Sequence, residues 1–333
     1  MTNNLNRTRK LPVALVVGAS RGIGRQVAID LAANGYAVVV AARAPKEDNN
    51  DDAKLTPTPF PPDPNSQQST IATVEREIRE AGGEATAIPV DTRDYASVQD
   101  LVARTIQNYG RLDALIYNSG AIWWASVEDT PMARFQLMQR VNVEGLYGTI
   151  QAALPHLKEQ QGSGGGRIVV VSPPIYSRFF RGKTAYAMGK VGMSVLTKGL
   201  AMDFERQQGL CDSNNMAITS IWPAVAIESA ATEQFTRRDP SFARDHLRKP
   251  TVFSDAILAI LQAPSAVVNG QLELDEDFLR RHAGVRDFSR YAVMPGASPR
   301  RIMPLELPDL TVREQDDEGM RTGSSSKGRR AKL

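Results

Sequence analysis

Five apolar residues, Val13 to Val17, break into a glycine-punctuated turn, after which Ile23, Val27 and Leu31 recur on one helical face. That switch of period predicts strand, turn and helix. The same alternation continues along the chain. YAVVVAAR reads as a second strand, residues 70–81 as a helix closed by Gly82-Gly83, and EATAIPVD as a third strand ending in Asp91. Val98, Leu101, Val102 and Ile106 mark a helix over 95–109, and RLDALIYNSG contains a fourth strand over 112–117. A helix over 131–158, long enough to line a subunit contact, leads to the fifth strand, RIVVVS at 167–172. Then come a helix over 185–208, the strand MAITSIWP, an excursion over 224–249, a helix over 252–261 and a last strand, NGQLELDE. Strands and helices alternating from residue 13 to about 275 predict an α/β fold, a doubly wound parallel sheet in a single domain. The pattern fails in three places: a flexible N-terminus (1–10), a polar, proline-rich mobile insertion (44–69), and a disordered tail (297–333) that leaves 11–296 as the domain.

Gly18, Gly22 and Gly24 space the first turn as G-x-x-x-G-x-G. Such a turn lets backbone approach a pyrophosphate at a helix N-terminus, where unpaired N–H groups favour anions, so the fold is of Rossmann type and the expected ligand a dinucleotide. At the end of the second strand a dinucleotide fold meets the adenosine ribose. An acid there would repel a 2′-phosphate, but the residue is Arg43, with Arg21 inside the glycine turn. Two guanidiniums at that corner favour NADP(H) over NAD. The alternative is a pair of solvated surface arginines.

Composition narrows the class further. Of 333 residues 42% are hydrophobic, enough for a sizeable core, yet no apolar run reaches the ~20 residues of a membrane helix. The N-terminal decapeptide lacks the apolar core of a secretory signal, and the lone Cys211 fits a reducing compartment. His156, His246 and His282 have no metal-ligand spacing, so no metal is expected. A formal charge of +3, concentrated at the two ends, argues against a nucleic-acid partner.

The chemistry is carried by Tyr186 and Lys190 in TAYAMGK, one helical turn apart and so on one face. An ammonium beside a phenol favours the phenolate and brings the pair into acid/base range. Tyr186 would protonate a carbonyl oxygen as hydride reaches the carbon, and Lys190 would also hold the nicotinamide ribose. With the glycine turn, YNSG at Tyr117 to Gly120, Asn142 in VNVEG and Tyr186-x-x-x-Lys190 in this order, the chain resembles the short-chain dehydrogenase/reductase family. SPPIYS, SIWP, KPTVFSDAI and the segment from Gly270 to Gly296 resemble a peroxisome-associated subgroup of it. That subgroup can carry a C-terminal sterol-carrier-like domain, which the residues after Gly296 are too few to form.

By position, the resemblance implies pyrophosphate contacts at Gly18, Ser20, Gly22, Ile23 and Gly24, an adenine-side contact at Asp91 and a further cofactor contact at Asn118. It implies that Asn142 holds a water linking Lys190 to solvent. Three positions depart from the family pattern. Tyr117 replaces an asparagine, Ala224 follows Pro223 where glycine is usual, and Pro173 stands where a serine would bond the substrate oxygen, with Ser172 one residue early as the candidate replacement. Trp123, Trp124, Ile175, Tyr176, Phe179 and Phe180 lie at carboxyl ends of strands and suggest a small apolar substrate; core or oligomer contacts are the alternative. The implied activity is an NADP(H)-dependent oxidoreductase of CH-OH groups on a lipid-derived substrate, in a homo-oligomer. The alternative is an NADPH-binding protein of the same fold with little turnover. Finally, Ala331-Lys332-Leu333 has the small-basic-leucine form of a peroxisomal address, so an import receptor and a peroxisomal location are expected, with the cytoplasm second.

Overall fold

The computed structural model describes residues 11–43, 69–159, 165–176, 182–208, 215–239 and 241–306. Expectations for Cys211, Phe179, Phe180, the two chain ends, residues 44–68 and Ala331-Lys332-Leu333 lie outside the described residues. Among those described, seven strands form one sheet in the order β3-β2-β1-β4-β5-β6-β7, every neighbouring pair parallel. They are β1 (Val13–Val17), β2 (Ala37–Ala42), β3 (Glu84–Pro89), β4 (Ala114–Tyr117), β5 (Arg167–Val171), β6 (Ala217–Trp222) and β7 (Leu272–Leu274). The order reverses between β1 and β4, the switch point where such sheets bind ligands.

Continuous apolar strands follow from burial on both faces. In β1, Ala14 and Val16 join one apolar layer and Val13, Leu15 and Val17 the other. The first layer is closed by α1 (Gly22–Ala33), α2 (Ile71–Glu80), α9 (Thr251–Gln262) and α11 (Asp275–His282), through Val27, Val74, Phe253 and Phe278. The second is closed by α3 (Tyr95–Tyr109), α5 (Gly145–Lys158) and α6 (Thr184–Gln208), through Leu101, Leu146, Met193 and Phe204. Three further short helices are α4 (Met132–Met138), α7 (Glu233–Arg238) and α8 (Ser241–His246), with α10 (Ser265–Val268) leading into β7.

Four details differ from the sequence expectation. The helix over 131–158 is interrupted by a π-helical turn, Gln139–Glu144, lying between α4 and α5. NGQLELDE ends as a strand at Leu274, because Asp275, Glu276 and Asp277 form the first turn of α11 while Arg280, Arg281 and His282 occupy its last, matching the helix dipole. Ser69, assigned above to the insertion, is 5% exposed and donates to the Ser20 carbonyl at 2.6 Å. The domain also extends past Gly296: the N–H groups of Ile302 and Met303 donate to the Ala224 carbonyl at 2.8 and 3.2 Å. Arg301 grips Asp277 with two hydrogen bonds of 2.8 and 2.7 Å. Proline and charge over 297–306 thus mark a strap across the sheet end, held by backbone and ionic contacts and by the buried Met303, a single apolar residue that leaves no period to read.

Candidate active site

Between β1 and α1 the backbone is shaped by near contacts. Gly18 has φ of 90°, and a Cβ there would lie 2.6 Å from the Ser119 nitrogen; one on Gly24 would lie 2.1 Å from the Gly18 carbonyl oxygen. No larger residue fits either place. Asn118 Nδ2 donates to the Gly18 carbonyl at 2.9 Å, so this residue braces the turn from β4. Helix α1 starts at Gly22 with no side-chain cap on its Arg21 N-cap and no acid in its first turn. Its leading N–H groups, around Gly22, Ile23 and Gly24, therefore offer a dipole-assisted cradle to an anion.

At the neighbouring corner, Arg43 directly follows β2 and is exposed, as is Arg21. Asp91, beyond β3, accepts from Arg93 Nε at 2.8 and 3.0 Å and from the Arg93 N–H at 3.0 Å. That pairing, with the Arg43 charge adding to it, holds the Asp91 carboxyl down at about 2. The carboxylate is engaged by its own loop, and its charge also faces Arg43.

Helix α6 brings Tyr186, Lys190 and Ser194 to one buried face, at 3%, 3% and 0% exposure. Lys190 Nζ donates to the Val171 carbonyl at the end of β5, 2.8 Å away, and stands 5.6 Å from the centre of the Trp222 ring. A Cβ on Gly120 would lie 3.5 Å from both Lys190 Nζ and Asn142 Oδ1, so the absence of a side chain there keeps the two polar groups in one space. Asn142, fully buried in the π-helical turn, is held at both ends by Ala121: its Oδ1 accepts from the N–H at 2.8 Å and its Nδ2 donates to the carbonyl at 3.1 Å. Burial pushes the Lys190 ammonium down to about 7 and the Tyr186 phenol well above its ordinary value. A buried proton donor thus sits one turn from an amine whose charge changes near neutrality.

The three family departures find physical roles. Tyr117, fully buried, donates to the Val141 carbonyl at 2.6 Å and so ties β4 to the π-helical turn. Ala224 donates its N–H to Asp275 Oδ1 at 2.8 Å, a carboxyl that burial raises to about 7. At the third, the Pro173 carbonyl accepts from Ser194 Oγ at 2.6 Å, and the buried Ser172 hydroxyl lies 3.0 Å from that same Oγ. Ser194 lies two turns, ~12 Å along the axis, beyond Tyr186. The structure therefore brings Tyr186, Lys190 and Asn142 together and leaves the Ser172 hydroxyl deeper in the fold.

The short chain dehydrogenase family pattern matches residues 12–56 and 65–234, the stretch that holds the cradle, the π-helical turn and the Tyr186–Lys190 pair. The chain is a short-chain dehydrogenase/reductase. It is 33% identical over 318 residues to hydroxysteroid dehydrogenase-like protein 2 of Danio rerio, covering 94% of this chain and 67% of that one. With the Homo sapiens protein of the same name it shares 31% over 283 residues, 84% of this chain and 60% of the human one. The chain thus spans roughly two thirds or less of these relatives' length. The crystal structure of a short chain dehydrogenase from Mycobacterium thermoresistibile superposes with a TM-score of 0.70 at 33% identity, covering 86% of this chain and 92% of that one. Members of the family are oxidoreductases using a nicotinamide dinucleotide, and the cradle at Gly18 to Gly24 suits its pyrophosphate.

On this short-chain dehydrogenase/reductase the mouth of the site is aromatic. Trp124 meets the Tyr186 ring edge-on at 6.3 Å and stacks on Phe235 of α7 at 5.8 Å. Phe235 contacts Phe242 of α8 at 5.4 Å, and Phe242 stacks on His246 at 4.6 Å. Lys183, just before α6, places its ammonium 5.7 Å from the Trp124 ring centre. Trp123 packs instead on the cluster of Met138, Ala185, Tyr186 and Ala187, with the Arg134 guanidinium 4.7 Å over its ring; Tyr176 packs on Ala224, Leu274 and Met303, and Ile175 is half-buried. Sequence reasoning missed Phe235, Phe242, Ser194, Trp222 and Asp275. Only Ser194 carried a signal, since it continues the Tyr186 and Lys190 face by another turn.

Proposed function

We propose that the protein interconverts a carbonyl and a secondary alcohol on an apolar, lipid-derived substrate, using NADP(H). The observation that carries this reading is the burial of Tyr186 and Lys190 on one face of α6, next to the Trp124 and Phe235 wall. A bound nicotinamide supplies or accepts the hydride. In reduction the Tyr186 phenol gives its proton to the substrate oxygen; in oxidation the phenolate takes it, and the Lys190 ammonium makes that phenolate accessible. The Val171 carbonyl fixes the amine in place. Asn142 stands beside it, where a water at the π-helical turn would link the amine to solvent. Arg43 and Arg21 are the proposed partners of a 2′-phosphate.

A second reading, NADPH binding with little turnover, is favoured by one observation: Ser172, the candidate for the second bond to the substrate oxygen, is fully buried beside Ser194 on the far side of Lys190 from Tyr186. Both readings are separated by offering NADPH and NADH with ketones and 3-oxoacyl thioesters. NADPH consumption supports the reductase; shifted nucleotide fluorescence without consumption supports the binding protein.

Two further proposals concern the protein's surroundings. Exposed Tyr147 on α5 and Met188 and Val195 on α6 suit a homo-oligomeric contact, which light scattering tests. Ala331-Lys332-Leu333 suits a peroxisomal import receptor, and diffuse signal from an N-terminally tagged full chain in cells would contradict it.

A further inference from the structure

We infer that Trp222 is a positioning residue for the catalytic pair, its indole face holding the charge of Lys190 inside the protein. The inference rests on Lys190 acting as proposed above. A fully buried ammonium needs its charge matched by neighbours. Those facing Lys190 are the Val171 carbonyl from β5 at 2.8 Å, Trp222 at the end of β6 at 5.6 Å, Asn142 Oδ1 from the π-helical turn across the Gly120 backbone, and Tyr186 on its own helix. Ser194 adds only a weak contact, to the Lys190 carbonyl at 3.4 Å. Desolvation is the one cause acting on the titration of Lys190, with no carboxylate contributing. Among the described residues, then, a single hydrogen bond and a ring face oppose the burial.

Trp222 is placed for this by three layers at once. Its ring packs against the cluster of Ala185, Tyr186 and Ala187, against Ala224, Leu274 and Met303, and against the main core beneath α9. The strap at 301–303 and the loop after β6 thereby back the indole onto α6. An aromatic face within about 6 Å of an ammonium attracts it through the ring quadrupole, more so where water is excluded.

The direction of the effect separates this role from mere space filling. If the ring holds the charge, replacing it lowers the pKa of Lys190; if it only keeps water out, a smaller side chain admits water and raises that pKa. The experiment titrates NADPH affinity by nucleotide fluorescence from pH 6 to 9, with thermal melts to check folding. The wild type is expected to lose affinity as Lys190 deprotonates, and Lys190→Met to lack that inflection. Trp222→Leu is expected to move it down by roughly half a pH unit, and Trp222→Phe to restore most of the shift. Should Trp222→Leu not fold, fluorinated tryptophans introduced at position 222 alone keep the shape and drain the ring face, and the inflection should fall stepwise with fluorine count. An unmoved or raised inflection in either series overturns the inference. Absence of turnover in the wild type would instead overturn the proposed reaction and leave this titration readable.

Discussion

The hydroxyl of Tyr117 reaches 2.6 Å to the carbonyl of Val141, so the last residue of β4 fastens the residue immediately before Asn142. A π-helical turn is rarely favoured by local sequence and needs such outside support. Tyr117→Phe removes the bond but keeps the ring. It is expected to lower stability by about 1 kcal/mol, read as a lower urea midpoint, and to lower kcat by up to about tenfold with NADPH affinity held. An unchanged kcat would show that the turn keeps its shape unaided.

The proton chemistry divides between the two residues of α6. Tyr186→Phe should lower kcat by about 10²–10⁴-fold while NADPH affinity stays within about twofold, because it removes the proton donor and little else. Lys190→Ala should damage both. Steady-state rates and fluorescence titration on the same preparations read the two effects apart, and wild-type kcat in Tyr186→Phe would refute the mechanism.

Cofactor choice is expected to turn on Arg43. With Asp91 already paired to Arg93, Arg43 is the exposed cation at the end of β2. Arg43→Asp should weaken NADPH relative to NADH by about 1.5–3 kcal/mol, the loss of a charge-assisted phosphate contact. An unchanged preference would place Arg43 in solvent.

Stability should depend on Asp275 in a fixed direction. Its Oδ1 accepts from the N–H groups of Ala224 and Glu276, its Oδ2 is buried without a partner, and burial raises its pKa to about 7. A carboxyl raised on folding favours the native state fully below its unfolded pKa, and that contribution fades as pH climbs from about 4 to about 7. Asp275→Asn keeps the Oδ1 acceptor and cannot ionise. The melting temperature of the variant minus that of the wild type should therefore grow by several degrees between pH 5 and pH 8. A constant difference would mean that Asp275 does not titrate in this window.

Most of the sheet was legible because its strands are buried on both faces and read as unbroken apolar runs, as Val13 to Val17 does. The cradle was legible because only glycine fits at Gly18 and Gly24. What escaped is built from contacts between distant segments. Asp275 and Ala224 lie 51 residues apart, and neither position signals the other. The seven-residue run Asp275 to Arg281 is mostly charged, so its helix shows no apolar stripe beyond Phe278 and Leu279. Ser172 looked available as the serine one residue before Pro173, yet it is buried beside Ser194, on a helix 22 residues later. The aromatic wall is similar: Trp124 and Phe235 are stacked by tertiary folding alone.

The grip of residues 301–303 on Ala224 also sets an order of events during synthesis. A chain emerging from the ribosome presents α6 and β6, with Tyr186, Lys190 and Trp222, well before Asp275 and Met303 exist to close over them. The nascent protein can therefore hold a nearly complete sheet while the floor behind Trp222 is still open. The contacts of residues 301–303 are thus among the last that the emerging chain can add beneath Trp222.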